Sequence, residues 1–261
     1  MNQPEYIKTG TPSPINELRS RQTLLESATS GYLQDGLQDD YIRHLCVRRF
    51  EPWLEQSHTG LEVGCSDGRM SELLAARISF LDVVEATQDF LERLLARRLP
   101  NVAAHHSMIE EYSTGRRYNC IFATWVLTHC LDPVAVLRHL KGLLAEGGRL
   151  FVVVPNARAM SRQLARHMGL LDDLYGLTPN DLGHGHLHSY DRVRLNSQLA
   201  AAGLETIAEG GLMLKPLSDY QMDGLYASGM LDHRHREGLA GLGLAYPDFC
   251  GAIYSICEAR P

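Results

Sequence analysis

The chain has 261 residues, long enough for one sizeable α/β domain with insertions or one domain plus a small cap. A formal net charge of -6 gives no broad positive field for a nucleic-acid backbone, so a small-molecule substrate fits better than a polyanionic partner. Six cysteines lie scattered without a C-x-x-C pair, no apolar run is long enough to span a bilayer, and the first residues lack the apolar core of a signal peptide. These features predict a reduced, soluble, cytoplasmic protein with no membrane partner.

Three prolines and a glycine in the first fourteen residues predict a loosely ordered arm, followed by helical patterning over 15–28 and again over 40–55. Residues 1–59 are therefore expected to form an arm and a helical cover ahead of the main domain at 60–261. From Gly60 onward strands and helices alternate: strand 61–65, helix 69–76, strand 80–85, helix 89–98, then strands 102–106 and 119–124. Helix 134–145 and strand 149–154 follow, with Gly147 and Gly148 between them read as a helix C-terminal cap. This rhythm predicts an α/β fold, a mostly parallel sheet with helices on both faces.

After Pro155 the rhythm breaks, and residues 156–190 carry a helix over 158–168 and then a Gly-, His- and Pro-rich stretch, which predicts an inserted lid. Helix 192–202 ends at Gly203, a strand lies within 205–214, and a last strand covers 249–257. Between them, 216–246 has weak periodicity and either completes a substrate wall or simply connects two strands.

Chemistry concentrates in residues 61–70, LEVGCSDGRM, a strand running into a glycine-bracketed turn and a helix, with Glu85 closing the next strand about 20 residues on. That pairing suggests a nucleoside cofactor. A nicotinamide or flavin fingerprint would need glycine where Ser66 stands and a third glycine beyond Gly68. The same residues match the G-x-S-x-G nucleophile elbow, with Ser66 as a hydrolase nucleophile. Yet no earlier strand or glycine-rich loop supplies the usual second oxyanion donor, and Asp67 puts negative charge beside the site.

The segment also resembles motif I of the class I S-adenosylmethionine-dependent methyltransferases, with Glu62, Gly64 and Gly68 matching and Ser66 departing from the common central glycine. The resemblance continues through FLDVVEAT, HHSMIEEY, YNCIFATWVLTHCLDP and LKGLLAEGGRLFVVVPN, covering roughly 60–156 in family order. It implies a Rossmann-like methyltransferase fold with S-adenosylmethionine as cofactor. By family position, Glu62, Gly64, Asp67 and Gly68 would serve the methionine half, while Glu85 and Ala86 would hold the ribose, Glu85 accepting both hydroxyls. Ser107, Met108 and Ile109 would border adenine, with Ser107 where the family often has an acid. Thr124, Trp125 and His129 would lie beside the methionine moiety and sulfonium. Asp67 capping the next helix, Glu85 as a solvated strand end and Trp125 as core remain open readings.

The resemblance implies in-line methyl transfer to an oxygen or nitrogen of a small molecule, with positioning as the main catalytic device. Where a proton must leave, histidine suits the work, and His129, His184, His186 and His188 are candidate bases, His129 and His186 foremost, with Asn156 and Tyr175 expected to face the pocket. His184, His186 and His188 would share one side of an extended segment, but no Asp, Glu or Cys cluster accompanies them, so no metal is expected. A class I fold does not by itself select methylation. Attack by the cofactor's own amine, giving azetidine-2-carboxylate and methylthioadenosine, is the alternative. Nothing in the sequence speaks to oligomeric state.

Overall fold

The computed structural model describes residues 14–28 and 36–260. Up to residue 13, the expected N-terminal arm lies outside the described residues. One seven-stranded sheet forms in the order β3-β2-β1-β4-β5-β7-β6. Its strands are β1 (Thr59–Val63), β2 (Phe80–Glu85), β3 (Val102–His106), β4 (Tyr118–Thr124), β5 (Leu144–Pro155), β6 (Leu204–Gly211) and β7 (Ala252–Ala259). Pairing is parallel from β3 to β5, and β7 runs antiparallel between β5 and β6. Helices cover both faces, as the alternating pattern predicts for an α/β, Rossmann-like sheet.

Burial on both faces explains the continuous apolar runs: Ile121, Phe122 and Ala123, like every residue of 150–154, are 0 % exposed. Alternate residues enter opposite cores. Ile121, Leu150 and Val152 pack with Leu137 and Leu140 of α5 (Pro133–Leu143) and with Leu195 and Leu199 of α8 (Arg192–Ala201). Phe122, Phe151 and Val153 pack with Met70 and Leu74 of α3 (Arg69–Ala75) and with Phe50 of α2 (Leu37–Phe50). The Phe50 ring lies 4.8 Å from Phe151, which stacks on Phe122 at 5.0 Å. Through Phe50, α2 belongs to the sheet's own core.

Three local expectations are corrected. Strand β1 stops at Val63 because Gly64 takes φ +74°, which breaks the extended run. Gly147 and Gly148 do not cap a helix: α5 ends at Leu143, and Leu144 is already extended. The pair instead lies near the irregular start of β5, where a Cβ on Gly148 would meet the Tyr118 carbonyl at 2.7 Å. Residues 216–246 contain two helices, α9 (Asp219–Ala227) and α10 (His233–Ala245), each opened by a capping box. Gly238, Gly241 and Gly243 dilute the helical signal of α10, while Arg236 lies 4.1 Å over the Tyr226 ring and ties the two helices together.

Strand order reverses between β1 and β4, which opens a crevice beyond their carboxyl ends. Helix α1 (Pro14–Ala28) spans it: Gln22 Nε2 donates to Ala86 O after β2 at 2.8 Å, and Arg21 Nε donates to His129 O after β4 at 2.9 Å. The 156–190 insertion, carrying α6 (Met160–His167) and α7 (Pro179–Gly183), is pinned to the same edge by Leu187 N donating to Thr128 O at 2.7 Å.

Candidate active site

The crevice holds a cavity of about 800 Å³ including its open mouth. Nine sequence-predicted site residues line it. Gly64, Glu85 and Ala86 come from the exits of β1 and β2; Ser107, Met108 and Ile109 follow β3; Thr124, Trp125 and His129 end or follow β4. Left-handed backbone shapes the wall: Gly64 and Gly68 lie at φ +74° and +77°, and Ser66 at φ +48° carries a β-carbon where the resembled family prefers glycine. Trp125 is also left-handed, at φ +59°, held by its N–H donating to Val153 O at 2.7 Å.

Glu85 is 5 % exposed and is not a solvated strand end. Its Oε2 accepts from Cys65 N at 2.9 Å, while its Oε1 accepts from both Thr87 N and Thr87 Oγ1 at 2.9 Å. Cys65 Sγ also lies 3.5 Å from Oε2, so the side chain ties the β1 and β2 turns together as well as lining the cavity.

Three other residues expected at the cofactor do not line the cavity. Asp67 precedes Gly68, the N-cap of α3, and engages the first helical residue, Oδ1 accepting from Arg69 N at 3.1 Å and Oδ2 pairing with Arg69 Nε at 3.1 Å. Gly68 turns the chain into α3 and leaves room for Arg97, whose Cδ would lie 2.9 Å from a Cβ there. Glu62 is wholly buried beside Ser71, which partly offsets the cost of its charge, with neither carboxyl oxygen in a full hydrogen bond. Burial, reinforced by the charges of Glu85 and Asp67, raises its carboxyl to about 8.

At the other end, His129 Nδ1 lies 3.3 Å from Gly185 O, and the His186 ring meets it edge-on at 4.9 Å. Burial first, then His186, lowers the His129 imidazole to about 3, so it is neutral near pH 7. So weak a base accepts protons poorly, since general bases work best near the operating pH. His186 does not line the cavity but stands behind His129, with Nδ1 3.4 Å from Asp181 Oδ1. Burial alone would raise Asp181, but contacts from His186, from Thr178 N and Oγ1 at 2.8 Å each, and from Arg162 hold it below the usual carboxylate range.

The remaining histidines do not form a row of ligands. His188 Nε2 contacts Cys130 O at 2.9 Å, and His184 closes α7 with its ring 6.2 Å from His186. Among the described residues, no group of three or more His, Cys, Asp or Glu could hold a metal ion. Asn156 and Tyr175 are corrected too, since neither lines the cavity. Asn156 is 3 % exposed, its amide donating to Asp248 O and Cys250 O at 2.9 Å while its Oδ1 accepts from Arg158 N. Tyr175 lies on the lid surface, its hydroxyl donating to Asp191 Oδ2 at 2.7 Å.

Sequence reasoning missed Leu25 of α1, Val126, Cys130 and Glu110, all of which line the cavity. Glu110 directly follows the predicted adenine border, and its Oε2 is buried without a hydrogen-bond partner. Burial raises its carboxyl, with its own backbone N–H and Arg21 opposing. No periodicity marks Leu25, which reaches the cavity only because α1 crosses the crevice.

The residues present fit S-adenosylmethionine. Gly64 keeps the wall open, since a Cβ there would meet Val126 Cγ2 at 3.0 Å, and Glu85 gives that wall a buried carboxylate at the exit of β2. A methyltransferase-domain family model matches residues 33–209. Over 105 residues the chain is 32% identical to trans-aconitate 2-methyltransferase of Methylobacterium radiotolerans, covering 40% of each chain. The chain thus spans less than half the length of the curated relatives it matches.

Among solved structures, the N-methyltransferase NodS of Bradyrhizobium japonicum in complex with S-adenosyl-l-homocysteine aligns with TM-score 0.58 at 16% identity, covering 93% of this chain and 98% of that one. The [4+2]-cyclase SpnF aligns with TM-score 0.58 at 15% identity, over 94% and 95% of the two chains. At these identities the structures establish a shared fold. With most of the chain inside the family model, and the fold and turn chemistry in agreement, the protein belongs to the class I S-adenosylmethionine-dependent methyltransferases, and S-adenosylmethionine is its cofactor.

Proposed function

We propose that the enzyme transfers a methyl group to a nitrogen or oxygen of a small-molecule acceptor. One observation carries this reading: one cavity runs from Glu85 to His129 beneath α1, which contributes Leu25 to its wall. Its lining, largely apolar with two carboxyls, suits a nucleoside cofactor beside a compact acceptor. In this reading α1 is the cover and 156–190 the lid. Six free, buried cysteines support a reducing, cytoplasmic setting. Among the described residues no helix is long and apolar enough to cross a membrane.

When bound, S-adenosylmethionine supplies an electrophilic methyl group on a sulfonium and leaves as S-adenosylhomocysteine. Glu85 accepts a ribose hydroxyl, and the Gly64 to Ser66 backbone cradles the methionine half. Met108 and Ile109 border adenine apolarly, because the Ser107 hydroxyl is turned onto Met108 O at 2.8 Å. Thr124 and Trp125 wall the methionine chain. His129, neutral and backed by His186 and Asp181, orients the acceptor and helps exclude water, so catalysis is chiefly alignment.

The test is incubation of purified protein with S-adenosylmethionine, with and without cell extract, followed by mass spectrometry. S-adenosylhomocysteine formed only with an acceptor supports methyl transfer. Methylthioadenosine and azetidine-2-carboxylate formed without one would replace it with cyclisation, and failure to bind either cofactor form would sink both readings.

A further inference from the structure

We infer that Glu110 is the recognition group for a basic nitrogen of the acceptor, so that the substrate class is an amine with an apolar body. This deepens the methyl-transfer reading and rests on it. Among the described residues lining the cavity, the charged side chains are two carboxyls, Glu85 and Glu110, with no Lys or Arg. Glu85 is largely engaged by Cys65 and Thr87. Glu110 differs: its Oε2 is buried and has no hydrogen-bond partner. Buried acceptors in folded proteins are nearly always paired, so an orphan on a side chain that lines a cavity marks a place where a ligand donor completes the set.

Glu110 lines the same cavity as His129 and Cys130. Arg21 and Cys130 both interact with it through space, and these residues flank His129: Arg21 donates to the His129 carbonyl, and Cys130 is next in the chain. Arg21 directs Nε to His129 O and Nη2 to Gly185 O and does not line the cavity. His139 on α5 and Glu111 are the other charged or titratable groups acting on Glu110. Leu25 and Val126 supply apolar wall not assigned to the cofactor. A carboxylate ligand would meet a second carboxyl without a lining cation, whereas an amine offers N–H donors to the orphaned oxygen.

The test is calorimetric titration of S-adenosylhomocysteine-saturated protein with phenethylamine and with hydrocinnamate, which have similar apolar bodies and opposite charges. The amine is expected to bind at least about tenfold more tightly, and Glu110→Gln should lower its affinity by about tenfold while leaving S-adenosylhomocysteine affinity unchanged. Glu110→Lys should reverse the preference, with circular dichroism confirming that both variants fold. No measurable amine binding, equal affinity for the two probes, or indifference to Glu110→Gln overturns the inference. Loss of S-adenosylhomocysteine affinity in Glu110→Gln also overturns it, by assigning Glu110 to the cofactor. Wild-type protein that fails to bind S-adenosylhomocysteine removes the methyl-transfer reading itself, a separate and recognisable failure.

Discussion

The two ends of the cavity are assembled in opposite ways. The Glu85 end is made from the exits of consecutive strand-turn-helix units, and its central bond, Cys65 to Glu85, joins residues 20 apart. The His129 end is made by docking: Arg21 reaches His129 across 108 residues and Gly185 across 164. A cofactor pocket built from successive turns carries a motif because each turn must adopt its own geometry. An acceptor pocket built from a cover and a lid can change whenever either packs differently, without disturbing the first.

The largest expected effect tests whether the cofactor end stands alone. Glu85→Ala leaves the Cys65 and Thr87 N–H groups without their carboxylate, and charge-assisted bonds contribute about 1.5–3 kcal/mol each. Calorimetry should record an S-adenosylhomocysteine affinity about a hundredfold weaker. An unchanged affinity would mean that Glu85 only braces the turns.

Next comes the docked end. Arg21→Ala removes the guanidinium bonds from α1 to His129 O and Gly185 O, and should lower methyl-transfer turnover by about tenfold. S-adenosylhomocysteine affinity should hold, while amide exchange at 185–188 accelerates. Equal losses at both ends would erase the distinction between them.

His129 gives a smaller effect with a defined sign. Its imidazole lies at about 3 in the folded protein against 6.5 for the free group, so the unfolded chain binds more protons between these values. Stability should therefore fall as pH drops from 6.5 toward 3, by at most about 1.4 kcal/mol per pH unit from this group. Denaturation series should show a shallower acid slope in His129→Gln.

The smallest effect concerns Ser66. Its left-handed β-carbon costs roughly 1–2 kcal/mol, partly offset because glycine frees the unfolded chain by about 0.4–1 kcal/mol. Ser66→Gly should stabilise the protein by about 0.5 kcal/mol, readable as a small rise in Tm with cofactor binding retained.

Much of the sheet was legible because its residues obey local rules. The spans of β2 and β3 follow directly from their apolar runs, and the turn after β1 from Gly64 and Gly68. Helix α10 was hidden by its glycines, and Asn156, at an informative strand end, was captured by the 248–250 backbone. Tyr175 and His186 share an insertion but met different partners, Asp191 on the surface and Asp181 behind the cavity. Nothing local distinguishes those destinations.

By itself the sequence determined the reagent: strand periodicity, left-handed turn positions and the acid at Glu85 are properties of short segments, and together they specify a nucleoside cofactor end. Only the tertiary structure decided the acceptor end. Whether His129 is charged, whether Glu110 finds a partner and whether Leu25 reaches the cavity depend on burial created where α1 and the Gly185 segment pack against the turn after β4. Burial is a sum over segments more than a hundred residues apart, and no window of sequence contains it.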